Sequence, residues 1–385
     1  MRNIEEWKKN NPYFINKISV DGLLSEYDVE WNLEDVNVLV GKNGSGKTSL
    51  FKIIKFALLE LNNHDKDQQN HKLFNKFKKI KVELNNGKHV IIEVTENDEE
   101  NKMIDVIKTI LSHKNIKNSL NKNMDKESMQ LLEDLVKQKD EPISNNISHN
   151  KKSKEVLILS RSQLITEKQK NILEENVSIE FISTFDMLLL SREQHDKYSN
   201  QFYSELDVII SDEQNKLREN ILSLKNQSTN EYKESIKQKK ETVLSVIENN
   251  KLSQINILKK ELNLFFNPEG KSIEINDSGN LVFRKGKNKI LLRDLSSGEK
   301  QLILILLKTL NNSLFKPCII FMDEPEISLH VSWQKQLISS LKRIARQSQI
   351  IVVSHSPAVV IDSWMNKLVD IKDIVLKNNE ISDYE

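Results

Sequence analysis

Two stretches of this 385-residue chain combine residue types that suit phosphate chemistry. The first runs from Gly41 to Thr48 and matches the pattern G-x-x-x-x-G-K-[ST] in full. Backbone N–H groups of such a loop turn inward around a phosphate, at a helix N-terminus that favours anions. Lys47 would reach the β- and γ-phosphates, and the Thr48 hydroxyl would ligate Mg²⁺. The residues predicted to cradle the nucleotide are Asn43, Gly44, Ser45, Gly46, Lys47, Thr48 and Ser49. A glycine-rich turn without a ligand is the alternative.

The second stretch is an apolar run, Cys318–Met322, that ends in two carboxylates and a proline. A buried strand of this kind delivers both acids to the edge of a sheet. Asp323 is then placed to hold Mg²⁺, and Glu324 to orient or deprotonate an attacking water. A strand that merely ends in an acidic turn is the alternative. The next apolar strand, Ile350–Val353, leads to His355, which we interpret as a γ-phosphate contact, although a lone histidine there is usually structural.

A third feature is the run Leu295–Gln301, which precedes an apolar helix. Ser297 and Gly298 offer a hydroxyl and backbone N–H groups at the positive end of the helix dipole, so they could bind an anion. Taken alone, such a run is more often a capped helix.

Strands and helices must position these residues. Before the glycine loop the pattern predicts strands at Phe14–Val20 and Tyr27–Leu33, joined at Asp21-Gly22, and a strand at Val36–Val40. After the loop it predicts a helix ending near Asn62-Asn63, and then a hairpin between Ile80–Leu84 and Val90–Val94, turning at Asn86-Gly87. Further strands are predicted at Glu155–Leu159, Val177–Ile182, Ser272–Ile275 and Leu281–Arg284, and a core-packing helix at Ser328–Arg346.

The composition divides the chain into five segments. Residues 1–95 form the first part of a head built around the glycine loop, 96–154 a polar insertion that is partly helical or mobile, and 155–190 further head strands. Residues 191–267 contain neither proline nor glycine, and their apolar positions recur with a helical period. This pattern predicts an antiparallel helical arm. Residues 268–385 complete the head. The fold class is therefore α/β, with a β-rich N-terminal lobe and a helical insertion.

Charge and composition limit the setting of the protein. The 57 basic and 56 acidic residues give a net charge of +1, so no global charge favours nucleic acid. Hydrophobic content is 38% and mean hydropathy is −0.51. The single cysteine excludes an internal disulfide and fits a reducing cytoplasm. No signal peptide and no apolar run of membrane-spanning length occurs, so we expect a cytoplasmic protein without membrane contact.

Together, these motifs in this order resemble an ABC-type ATPase head. Gly41–Thr48 resembles Walker A, Leu295–Gln301 the signature loop, Cys318–Glu324 Walker B with its catalytic acid, and His355 the switch histidine. The forms DEPE-ISLH and SHSP resemble the AAA-15/AAA-21 branch, which stands beside the Rad50, SMC and OLD-family ATPases. The resemblance implies ATP and Mg²⁺ as cofactors and a homodimer, or higher homo-oligomer, that sandwiches ATP between heads. Ser297 and Gly298 would then read the γ-phosphate of the opposite subunit.

Two departures from the family pattern qualify the resemblance. No glutamine stands where the Q-loop would leave its strand, because Ser183-Thr184-Phe185-Asp186 follows Ile182. We also expect no Toprim domain after the head, so a nuclease effector would be another polypeptide. Stand-alone heads of this kind resemble ATPase subunits of anti-phage systems such as PARIS, Septu and some retrons. We therefore favour a sensor or scaffold ATPase in anti-phage defence. One alternative is a DNA-repair ATPase of Rad50/SMC type that binds DNA. The other is a nucleotide-gated assembly platform with little turnover.

Overall fold

The computed structural model describes residues 4–60, 76–93, 156–159, 175–183, 204–238, 243–276, 278–360 and 364–376. The predicted insertion 96–154 lies outside these residues. The helices are α1 Ile4–Asn10, α2 Lys47–Lys55, α3 Glu205–Gln238, α4 Val243–Phe266, α5 Ser297–Ser313, α6 Val331–Ile344 and α7 Ile371–Ile374. The strands are β1 Ile15–Leu23, β2 Tyr27–Asn32, β3 Val36–Val40, β4 Lys79–Leu84, β5 His89–Glu93, β6 Val156–Leu159, β7 Ser178–Ser183, β8 Lys271–Ile275, β9 Leu281–Lys285, β10 Asn288–Ile290, β11 Cys318–Asp323, β12 Ser348–Ser354, β13 Leu368–Asp370 and β14 Val375–Leu376.

A parallel sheet forms the centre of the molecule. Its described strands lie in the order β13-β3-β12-β11-β7, and every neighbouring pair is parallel. The strands β11 and β12 are buried along their whole length, because both faces of the sheet are covered. This explains why their sequences are continuous apolar runs rather than alternating ones.

The two faces of this sheet pack into two different cores. Ile320, Met322 and Val352 face the core that also contains α3, α4, α5 and α6. Phe321 and Val353, one position along in each strand, face the other core, which contains α2 and the second sheet. That sheet has the described order β14-β2-β1-β4-β5-β6, and a smaller antiparallel sheet has the order β10-β9-β8. The fold is therefore the mixed α/β head expected from the sequence.

Most predicted elements are found within the described residues, with one turn misplaced. The hairpin β4–β5 turns at Asn85–Lys88 with Gly87 at φ 79°, as the Asn-Gly signal predicted. The turn predicted at Asp21-Gly22 is wrong, because β1 continues to Leu23 with an irregular register after Val20. The chain reverses at Leu24 and Ser25 instead, both with positive φ. The pattern missed this turn because neither residue is a usual choice for that conformation.

The predicted helical arm corresponds to α3 and α4, but its separation from the head needs correction. The base of both helices packs in the same core as the central sheet, through the buried side chains of Leu206, Ile210, Leu217, Ile221, Leu224, Ile255, Leu258, Leu262, Phe265 and Phe266. Polar contacts reinforce this packing: Arg343 of α6 makes a bidentate pair with Glu261, at 2.6 and 2.8 Å. The boundary at residues 191–267 therefore cuts through the core of the head.

Across the residues that the structure describes, no helix is both long enough and apolar enough to cross a bilayer.

The burial of the arm base generates a stability prediction. Leu258→Ala should lower the free energy of unfolding by about 2–5 kcal/mol, because it opens a cavity at a fully buried position. Leu264→Ala, on the same helix, is the matched control: Leu264 is 51% exposed, so its replacement should change stability by less than about 0.5 kcal/mol. Urea unfolding followed by circular dichroism measures both. Equal small effects would mean that the arm base is not part of the core.

Candidate functional site

The candidate site lies at the carboxyl edge of the parallel sheet. The register pairs Asp323 with Val353 and Ser354 with Val40, so β3, β12 and β11 end at the same level. Parallel strands all present their carboxyl ends to one edge, where the loops that follow can meet. The glycine loop, the two carboxylates and the histidine, far apart in sequence, are thus brought to one place.

The glycine loop is shaped by positive φ angles and by a tyrosine from β2. Gly46 caps α2 with φ 90°, and Gly44 has φ 79°, a conformation that side chains rarely adopt. Tyr27 donates a hydrogen bond from its hydroxyl to the Ser45 carbonyl oxygen, at 2.6 Å. A Cβ on Gly46 would lie 2.7 Å from that hydroxyl. Glycine is therefore required at this position both by the positive φ and by the close approach of Tyr27. Tyr27 was not singled out from the sequence, since nothing near it signals contact with a loop beyond the next strand.

Lys47 is buried at the start of α2 and is held by the loop itself. Its Nζ donates to the Gly41 carbonyl at 2.7 Å and to the Lys42 carbonyl at 2.9 Å. Burial lowers the pKa of Lys47 below its ordinary value, while nearby carboxylates, with Glu324 and Asp323 foremost, oppose that decrease. The Lys47 ammonium group therefore lies near the two predicted carboxylates, and a polyanion that binds there would add further negative charge around it.

His355 links Lys47 to Glu324. Its Nδ1 lies 3.3 Å from Lys47 Nζ, and its Nε2 lies 2.7 Å from Glu324 Oε1. An ammonium group has only donors, so Nδ1 accepts, and the ring proton on Nε2 is donated to the carboxylate. The lysine and the histidine stand 308 residues apart in the chain. All three residues that the sequence predicted as catalytic are thus in direct contact.

Glu324 has a backbone conformation that is unusual for a glutamate. Its φ is 51°, in the left-handed region, which costs a non-glycine residue on the order of 1 kcal/mol. A hydrogen bond from its N–H to the Val353 carbonyl, at 2.8 Å, fixes this turn at the end of β11. The backbone thereby turns the carboxylate toward His355.

Glu326 organises the histidine loop and was given no role by the sequence reasoning. Its Oε1 accepts from the Ser354 hydroxyl at 2.5 Å, from the His355 N–H at 2.9 Å and from the Ser356 N–H at 3.1 Å. Glu326 is 6% exposed and Ser354 is fully buried, so water has little access to the bond between their side chains. A signal was present, because a third acid directly follows Pro325, but its partners could not be identified from the sequence.

The predicted metal ligands offer oxygen donors. Thr48 lies in the first turn of α2, and Asp323 is the last residue of β11, 1% exposed. A hydroxyl with a carboxylate is a donor set that suits Mg²⁺, which usually retains several waters and phosphate oxygens. No group of three or more His, Cys, Asp or Glu suitable for a metal occurs in the described ranges. The residues fit a metal that arrives with a nucleotide rather than one held by protein alone.

The serine-glycine pair opens α5, as predicted. Ser296 caps the helix and forms a capping box with Glu299. Ser297 is exposed, whereas Gly298 is buried. A Cβ at position 298 would lie 2.2 Å from the Ser328 carbonyl oxygen of the same chain, which is too close for any residue but glycine. Gly298 therefore allows α5 to approach the segment after β11, and the exposed serine faces outward beside it.

Comparisons with known proteins identify the family of the chain. The family model described as AAA ATPase domain (AAA-15) matches residues 14–360. The chain is 28% identical over 160 residues to the retron Ec83 probable ATPase of Escherichia coli. That match covers 33% of this chain and 29% of the relative, so the chain spans less than a third of the relative's length.

Solved structures with similar folds include heads of SMC proteins. An SMC head bound to the C-winged helix domain of ScpA has a TM-score of 0.39 at 12% identity, with 93% of this chain and 94% of that chain covered. The SMC head domain from Thermotoga maritima has a TM-score of 0.38 at 13% identity, with the same coverage.

The contacts of Glu326 lead to a prediction about the histidine loop. Glu326→Ala should lower the free energy of unfolding by about 1–3 kcal/mol, because the buried Ser354 hydroxyl and the N–H groups of His355 and Ser356 each lose an acceptor. Amide hydrogen exchange at His355 and Ser356 should also accelerate. Glu269→Ala, at an exposed position, is the control and should change neither quantity. Unchanged exchange at the two amides in Glu326→Ala would contradict the assigned contacts.

Proposed function

The chain belongs to the AAA-15 family of AAA ATPase domains, as an ABC-type ATPase head, and on this premise we propose that it binds ATP with Mg²⁺ and hydrolyses it to ADP and phosphate. The observation that carries the proposal is the contact chain from Lys47 through His355 to Glu324, beside the glycine loop. It joins a phosphate-binding cation to a carboxylate suited to activating water, with one polar group between them.

Binding would use the glycine loop and Lys47. The backbone N–H groups of residues 43–49 and the N-terminus of α2 favour the β-phosphate. Lys47 now donates to two loop carbonyls, and phosphate oxygens would offer it charged acceptors, which make stronger hydrogen bonds. The negative charge of ATP would also favour the charged form of Lys47, whose pKa burial lowers.

Hydrolysis would use Glu324 and His355. Glu324 orients a water and accepts its proton as the water oxygen attacks the γ-phosphorus. The bond from the γ-phosphorus to the β–γ bridging oxygen breaks, and ADP leaves with that electron pair. His355 now donates its Nε2–H to Glu324, and with ATP bound it would donate this hydrogen bond to the γ-phosphate instead, which would leave Glu324 free to accept a proton. Bound Mg²⁺, held by Thr48 and Asp323, would neutralise phosphate charge.

We propose further that two heads close around ATP, as a homodimer or within a higher homo-oligomer. The support is the exposed Ser297 at the first turn of α5, next to Gly298 and the positive end of the helix dipole. In a dimer these groups would contact the γ-phosphate bound to the opposite subunit. Each site would then be completed only when both chains are present.

A role in anti-phage defence is the biological setting that we propose. The support is the likeness to the retron Ec83 probable ATPase, although it covers only part of either protein. The ATPase would act as a nucleotide-gated sensor or scaffold with a separate effector protein, such as a nuclease. A DNA-repair role remains an alternative, and so does an assembly platform, which would bind ATP with negligible turnover.

Nucleotide binding depends on Lys47 in this proposal. Lys47→Ala should abolish ATP binding in a calorimetric titration, because the buried cation aimed at the phosphates is lost. Lys42→Ala is the matched control: Lys42 belongs to the same loop and is exposed, and it contacts Lys47 through its backbone carbonyl, which the substitution keeps. Wild-type affinity in Lys47→Ala would refute the assigned binding site.

Hydrolysis depends on Glu324. Glu324→Gln should retain ATP binding but lose turnover by about 10²–10⁴-fold, because the amide cannot accept a proton from water. The variant should also accumulate as an ATP-bound dimer in size-exclusion chromatography with light scattering. Exposed Glu269→Gln should hydrolyse ATP like the wild type. Normal turnover in Glu324→Gln would place the general base elsewhere, and a wild type that binds ATP without turnover would favour the assembly platform.

A further inference from the structure

The strand β7 lies beside β11 in a register that reaches the site. The two strands are parallel, and the pairing runs from Ser178 opposite Cys318 to Ser183 opposite Asp323. Ser183 is thus the last residue of its strand, level with the predicted metal ligand on the neighbouring strand. Adjacent strands lie about 4.8 Å apart, so the side chains of two paired residues that face the same way are neighbours.

Three aromatic rings fix which way these side chains face. Phe181 and Phe321, paired in the same register, stack with ring centroids 4.3 Å apart. Phe51 of α2 packs edge-on against both, at 5.3 Å and 6.3 Å. This face of β7 and β11 is therefore the face covered by α2.

Periodicity then places the next layer of side chains. Alternate residues of a strand share a face, so Ser183 and Asp323, two positions beyond the stacked rings, face the α2 side. On α2, Thr48 lies three residues before Phe51, which is the same helix face one turn nearer the N-terminus. Because Lys47 contacts His355, that N-terminus lies at the carboxyl edge of the sheet. Thr48, Ser183 and Asp323 thus form one layer beyond the aromatic layer.

We propose that Ser183 supplies a third protein oxygen to the Mg²⁺ that accompanies the nucleotide. The inference rests on the proposed function and extends it, because it names a further metal ligand on a strand that has no other role at the site. A hydroxyl is an uncharged oxygen donor, and Mg²⁺ selects oxygen ligands. Ser183 has a short side chain, but its place at the very end of β7, level with Asp323, brings its oxygen to the site.

Metal-dependent nucleotide affinity tests this assignment without relying on catalysis. A fluorescent ADP analogue is titrated into the full chain in Mg²⁺ and in EDTA, and the ratio of the two dissociation constants measures the coupling between metal and nucleotide. In Ser183→Ala the affinity in EDTA should equal that of the wild type, whereas the coupling ratio should fall about 10-fold or more. Ser183→Thr retains the hydroxyl and should keep the wild-type ratio.

Ser178→Ala is the matched control, because Ser178 lies on the same strand at its other end, where its hydroxyl donates to Asn312. It should leave the ratio unchanged. An unaltered ratio in Ser183→Ala, or a loss in Ser183→Thr equal to that in Ser183→Ala, overturns the assignment. If the wild type binds the analogue equally well in Mg²⁺ and in EDTA, the assignment of Ser183 as a metal ligand is also overturned, although nucleotide binding itself is retained. A wild type that binds no nucleotide refutes the proposed function itself.

Discussion

The alignment of the parallel strands is the constraint on which the site depends. The loops after β3, β11 and β12 meet because these strands end at one level, and the contact chain from Lys47 to Glu324 exists only at that edge. A slip of one residue would turn each side chain to the opposite face. Two dry cores hold the register, one on each face of the sheet, so the position of the polar site is set by apolar packing beneath it.

The site also depends on groups that hold the reactive residues without facing a substrate themselves. Glu326 fixes the backbone on both sides of the histidine, and Tyr27 fixes the glycine loop from the second sheet. The Cys318 thiol, by contrast, is buried at the opposite end of β11, and burial raises its pKa, so it is inert packing. Glu326 and Tyr27 thus position the candidate site residues at the carboxyl edge, whereas Cys318 packs at the far end of β11.

The helical arm is attached to the head along α5, the helix that begins with Ser297 and Gly298. Lys300, in the first turns of α5, forms a buried ion pair with Asp207 of α3 at 2.8 Å. Further along α5, Asn311 donates to Glu213. Breaking a buried ion pair by removing one partner is costly, typically about 3–5 kcal/mol, so such pairs fix how helices sit relative to one another. The base of the arm and the helix that carries Ser297 therefore behave as one packed unit.

The sequence by itself determined the features that depend on short-range interactions. The glycine loop between a strand and a helix, the Asn-Gly hairpin, the capped helix at Ser296 and the acidic end of β11 are each set by neighbouring residues, so their patterns can be read directly. The order of these motifs was enough to predict the fold class. Within the described residues, the turn after β1 was misplaced, because ordinary residues adopt positive φ there.

The tertiary structure alone decided what covers each surface and which distant groups meet. The helical period of residues 191–267 predicted helices, but a period does not tell whether their apolar side chains face a partner helix or the core of the head. Likewise, the partners of Glu326, Tyr27 and Ser183 cannot be identified from the sequence, because they come from other strands and loops. Those contacts are set by strand register and by packing across the sheet, which are properties of the whole folded chain.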